Sequence, residues 1–252
     1  MRQSPAAEDK VQNGPLVFIG SAGLKSLAIV AIFTIAVTSL TACSGGSEPS
    51  GGKTSSKPSK PEAPKEPPLV TDEEISRYVD AEPDTKVAFP EAEFKEAHPY
   101  IFTQNKPGVG VEILKKHLDD AVKAQAGQTK LGQYCVRLGI GLWMQGGDKC
   151  KESMKYFLLA QRIFYKQPQE KRPMPNWFFN CHLYPGLYYN GQRKWAEAEQ
   201  DWRKCINIAA GAPINLISKE WRKISLQQLH IALVGQGKTV EAKAVQEQLK
   251  KM

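Results

Sequence analysis

Five cysteines and four histidines carry most of the side-chain chemistry available to this 252-residue chain. Cys43 stands apart from the other thiols. It follows Leu40, Thr41 and Ala42, and an apolar run from Ser26 to Ser39 leads into that tripeptide behind Lys25. The run is too short for a comfortable membrane span but long enough for the apolar region of an export signal. A thiol is a nucleophile once ionised, and the small residues before Cys43 leave the backbone open to close approach. The histidines, His98, His117, His182 and His230, are scattered, and none meets Cys, Asp or Glu at a spacing that metal sites use. They read as ordinary helix residues. No Gly-rich phosphate loop and no nucleophile elbow occurs, and the short Gly-Val-Gly-Val-Glu stretch from Gly108 lacks the preceding strand such a loop needs. The expectation is therefore no catalytic residue, no metal, no cofactor and no small-molecule substrate.

The tetrapeptide Leu40-Thr41-Ala42-Cys43, behind its apolar run, resembles the lipobox of bacterial lipoproteins. The resemblance implies that the Cys43 sulfur takes up a diacylglyceryl group and that a signal peptidase then cuts between Ala42 and Cys43. Cys43 becomes the first residue of the mature protein, fixed to the membrane by two or three acyl chains, palmitate among them. One chain alone binds only marginally. Ser44 in the next position implies the outer membrane, facing the periplasm, if the host is Gram-negative. In a Gram-positive cell the same anchor holds the protein on the outer face of its one membrane.

Four segments follow from composition. Residues 1–42 are the signal peptide, and 43–70 form a tether rich in Ser, Gly, Pro and Lys, with no apolar residue able to start a core before its last few positions. Residues 71–127 hold an acidic segment and N-terminal capping helices, and 128–252 the main helical domain. Charge divides along the same lines. From Thr71 to His98 there are nine acidic and three basic residues, whereas from Pro99 onward 24 Lys and Arg face 12 Asp and Glu. A basic body can attract anionic lipid, an acidic partner or its own acidic segment. Nucleic acid fits poorly with export.

From Gly110 onward the apolar residues fall at helical spacing, so the body reads as all-α. Val111, Leu114, Leu118 and Val122 line one face of a helix that Gly127 is placed to stop. Thr71 and Glu74 bracket a capping box for a shorter, earlier helix. Three later segments are alike: Cys150 to Ile163, Trp195 to Ile208 and Thr239 to Met252. Each places Glu before a small residue (Ser153, Ala198, Ala242) and, four residues further on, Phe157, Trp202 or Gln246. Glycines precede each of them, at Gly146 and Gly147, Gly191 and Gly237. This pattern resembles the tetratricopeptide repeat (TPR), in which a small residue on the second helix lets the first pack close and an aromatic fills the gap beyond. Gly139 and Gly186 match the small position of the first helix, where His230 stands in the third unit. The resemblance implies a TPR-like helix-hairpin solenoid of about three repeats.

In that register Gln133, Ile140, Trp177, Asn180, Leu187, Asn190 and Gln227 face the groove as partner-binding residues. The cysteines Cys135, Cys150, Cys181 and Cys205 allow three pairings, and the repeat register favours Cys181 with Cys205, against four small core thiols. The expected function is a membrane-anchored scaffold or adaptor in the cell envelope that binds an envelope protein or peptide. One alternative is an autoinhibited module whose acidic segment covers the basic solenoid. The other is a cell-wall enzyme without a recognisable motif.

Overall fold

The computed structural model describes residues 91–168 and 172–252, together with Thr71 and Glu73. The segments expected to be signal peptide and tether, with Ala42 and Cys43, lie outside the described residues, as does most of the acidic segment. Among the described residues there are eight α-helices, one π-helical turn and no strand. None of these helices is long and apolar enough to cross a membrane.

Helix α1 (Glu91–His98) continues into the π-helical turn Pro99–Thr103, and α2 (Pro107–Lys123) follows. Pro107 opens α2 because its missing N–H would be unpaired in a first turn anyway. Val111, Leu114 and Leu118 are buried along one face, as their spacing predicts. Gly127 does not stop this helix. Gln125 does so, with a φ of 51°, its N–H bonded to Val122 O and that of Ala126 to Ala121 O, a Schellman ending. Gly127, in extended conformation, is instead the N-cap of α3.

Six helices then form three hairpins: α3 (Gln128–Gln145) with α4 (Lys149–Lys166), α5 (Pro175–Gly191) with α6 (Trp195–Gly211), and α7 (Lys219–Gly235) with α8 (Thr239–Lys250). Each hairpin turns in three residues. The first helices also touch across hairpins, α3 with α5 and α5 with α7, so each hairpin packs on the next. The hairpins begin at Gln128, Pro175 and Lys219, intervals of 47 and 44 residues, longer than the ~34 of the TPR unit.

The close seats inside the hairpins repeat. A Cβ built on Gly139 would lie 2.7 Å from the Phe157 ring, and one on Gly186 would lie 2.8 Å from the Trp202 ring. Each glycine therefore admits the aromatic of the opposing helix, and a larger side chain would push the pair apart. Ser153, Ala198 and Ala242 are all buried, at 0%, 0% and 3% exposure. The third hairpin reverses the roles. His230 takes the small-residue position and its Nδ1 meets Ala242 O at 3.0 Å, while Gln246 is exposed on the last helix.

Two apolar clusters share α5. Trp177, Phe178 and Cys181 join the cluster of α1–α4, whereas Phe179 and Leu183 join that of α6–α8. A helix that is apolar around its circumference has to be covered on both sides.

Candidate functional site

The N-terminal elements close over the start of the stack. Phe94 of α1 is 5% exposed, with its ring edge-on to Tyr134 of α3 at 5.2 Å and tilted against Trp177 of α5 at 5.9 Å. Arg137 lies one turn after Tyr134, so its guanidinium reaches the same place, 5.3 Å from the Phe94 ring and 5.1 Å from that of Trp177. A cation over two ring faces is held by their quadrupoles. The charge has no carboxylate partner among the described residues, and the buried Nε has no acceptor. Burial pulls this guanidinium down to about 10, partly offset by Tyr184. Burial and then Arg137 also lower His98. On the outer side of α1, Glu96 Oε2 meets His117 Nε2 at 2.9 Å.

A second cluster joins α4, α5 and α6. His182 Nδ1 lies 2.6 Å from Asp201 Oδ1, and Tyr165 Oη 2.8 Å from His182 Nε2. His182 is 4% and Asp201 8% exposed. A His oriented by a carboxylate is the core of many general bases. Here Nε2 is already taken by Tyr165, and burial pushes that phenol up to about 12, so it keeps its proton near neutrality. Burial likewise raises Asp201 against the lowering pull of His182 and Gln161. Gln161 Nε2 donates to Cys181 O at 2.7 Å and lies 3.5 Å from Asp201 Oδ1. This arrangement fastens three helices together.

A third cluster fastens α6 to the last hairpin. Glu199 accepts from Arg203 at 2.7 Å, Gln236 at 2.7 Å and Lys238 at 2.6 Å, and Arg203 also pairs with Glu241 of α8. Burial acts to raise Glu199, but the bonds from Lys238, Arg203 and Gln236 outweigh it and hold the carboxyl at about 2.

Of the expected groove residues, Gln133, Ile140 and Trp177 are buried at 1%, 1% and 2% exposure. They present no surface to a partner, because α1 and α2 cover α3 and the start of α5. Asn190 is also buried, its Nδ2 donating to Gln228 O at 3.2 Å and Gln228 Oε1 at 3.0 Å. Asn180 and Leu187 are half-buried and Gln227 is exposed, so these three remain open to contact. The pairing of Cys181 with Cys205 is corrected: Cys135, Cys150, Cys181 and Cys205 are all free thiols. Cys181 Sγ turns to Phe178 O at 3.1 Å and Cys205 Sγ to Phe179 O at 3.8 Å. Helix axes 8–10 Å apart commonly hold side chains beyond disulfide reach. Burial raises both thiols well above their ordinary value.

Arg137, Phe94, Gln161, His182 and Asp201 escape a reading of the sequence as separate residues. Only Pro185, which leaves a carbonyl in need of a donor, signals Gln161 in advance. Comparison of the chain with protein-family models, with characterised proteins and with solved structures gives no match.

Proposed function

We propose that this chain is a bacterial lipoprotein, anchored through Cys43, whose TPR-like hairpins act as a protein-binding scaffold or adaptor in the cell envelope. The observation that carries the scaffold reading is the repeated seat of an aromatic on glycine, Phe157 on Gly139 and Trp202 on Gly186, with a small buried residue four positions before each aromatic. Units built on the same internal contact and packed one on the next through their first helices offer a row of those helices to a partner. In Gram-negative cells the reading places the protein on the outer membrane, facing the periplasm.

The test is photo-crosslinking in intact cells. A crosslinker at Asn180, Leu187 or Gln227 is expected to capture one and the same envelope protein, and a crosslinker at Lys204 or Lys243 on the second helices is not. Equal capture from both faces contradicts a groove. For the anchor, Cys43→Ser is expected to abolish incorporation of a clickable palmitate analogue, and labelled, mature-sized product from that variant contradicts the lipoprotein assignment.

A second reading has its own observation. Phe94 belongs to the acidic segment and is seated on Tyr134, Arg137 and Trp177, the last of which is one of the expected groove residues. The segment then acts as an autoinhibitor, and its deletion is expected to raise partner affinity in a salt-sensitive way.

A further inference from the structure

We propose that the slot between α1, α3 and α5 binds an acidic peptide segment of a partner protein that brings an aromatic ring and an adjacent carboxylate, and that α1 is its displaceable intramolecular placeholder. The inference rests on the scaffold reading and names the chemistry of the partner. Two halves of the slot support it. The apolar half, walled by Tyr134 and Trp177, is filled by the Phe94 ring. The polar half is unsatisfied: Arg137 has its Nε buried without an acceptor.

A guanidinium with its Nε held out of water and no counter-charge is an unfavourable arrangement that a carboxylate relieves with charge-assisted, often bidentate hydrogen bonds. On α1 itself, Glu96 is turned to His117 rather than to Arg137. Phe94 and Ala97 are the helix's buried described side chains, and a helix of eight residues has little stability of its own. A competitor offering the ring together with a carboxylate replaces the contacts of Phe94 and gives Arg137 Nε the acceptor it is without. The excess of 24 basic over 12 acidic residues from Pro99 onward favours an acidic competitor over a basic one.

The experiment uses the full chain and three fluorescent peptides of about ten residues: one acidic, with Phe beside Asp; one with Ala for that Phe; and one with Asn for that Asp. Binding is read by anisotropy. Phe94→Ala is expected to bind the first peptide at least about tenfold more tightly than the parent does, because the placeholder is weakened. Each altered peptide is expected to lose about tenfold or more on that variant. Arg137→Met is expected to erase the difference between the Asp and Asn peptides while keeping that between Phe and Ala. Unchanged affinity in Phe94→Ala overturns the proposal, as does an undiminished Asp preference in Arg137→Met.

Should Phe94→Ala not fold, the parent protein supplies the readout. Saturating Phe-Asp peptide is expected to raise amide exchange across α1, and full retention of α1 protection overturns the placeholder. A peptide-induced dimer by exchange of α1 also overturns it, because the slot then serves a second copy. If Asn180 and Gln227 still capture an envelope protein while the slot ignores every peptide, this inference fails and the scaffold reading stands.

Discussion

Pro185 sits inside α5, where it has no N–H to give to the carbonyl of Cys181 four residues back. That carbonyl is not left empty: Gln161 on α4 donates to it at 2.7 Å. One side chain thereby repairs a helix on a neighbouring element. Gln161→Met keeps the length and removes the donor, and is expected to cost about 1–3 kcal/mol by urea titration. In a Pro185→Ala background the restored backbone N–H serves the carbonyl, so the same change is expected to cost less. Equal costs in the two backgrounds contradict the repair. Glu199 gives a pH signature at the same scale. Its folded pKa of about 2 lies below its ordinary 4.5, so its contribution is complete above 4.5 and is lost as pH falls toward 2. The Glu199→Gln variant is therefore expected to be less stable than the parent near neutrality and to converge on it below about pH 3. Asp201, with a raised pKa, works in the opposite direction and is the same in both proteins, so the comparison cancels it. A parallel pair of stability curves between pH 2 and 5 contradicts the role given to Glu199.

Helix endings show how far residue types alone lead. The reading of α2 from Val111, Leu114 and Leu118 holds because burial of one helix face needs only a local period. The repeated small-and-aromatic seats hold for the same reason: antiparallel helices joined by a three-residue turn bring fixed positions together. The left-handed turn residue is less legible. Gly237 takes it after α7 with a φ of 74°, as expected of glycine, but after α5 it is Arg193, at 56°, two residues beyond Gly191. Both turns close the same Schellman pair of bonds, Lys194 N–H to Tyr189 O and Lys238 N–H to Leu233 O among them. Arg193 carries a Cβ in a conformation that disfavours one. Arg193→Gly is thus expected to stabilise the fold by about 0.5–1 kcal/mol, seen as a higher melting temperature. No rise, or a fall, contradicts strain at that position. The clusters of His182 with Asp201 and of Arg137 with Phe94 are illegible for a different reason. Each depends on which faces of separate helices meet, and nothing in the local sequence of α1 announces that it lies on α3. The misplacement of Gln133, Ile140 and Trp177 in an open groove has the same origin.

Across the whole described unit, α5 is the member common to both apolar clusters, and each hairpin touches chiefly its neighbours. Stability in such an arrangement is close to a sum of units and of the contacts between them. The two halves are unequal. The cluster of α1–α5 is the larger, whereas the last hairpin ends in the twelve-residue α8, on which Val240 is 81% exposed. Few tertiary contacts and an uncovered outer face place α8 at the low end of the local stability range. Native-state hydrogen exchange is expected to find the amides of α8 the least protected of the three hairpins and those of α3 and the middle of α5 the most. Trp202→Ala extends the test, because it empties the seat at Gly186 and is expected to cost about 3–5 kcal/mol. If the halves are separable, that loss appears in α6–α8 and in the Leu183 side of α5, while α2–α4 keep their protection. A uniform loss of protection over all the helices contradicts the division and makes the unit a single cooperative core, with α5 transmitting every change from one end to the other.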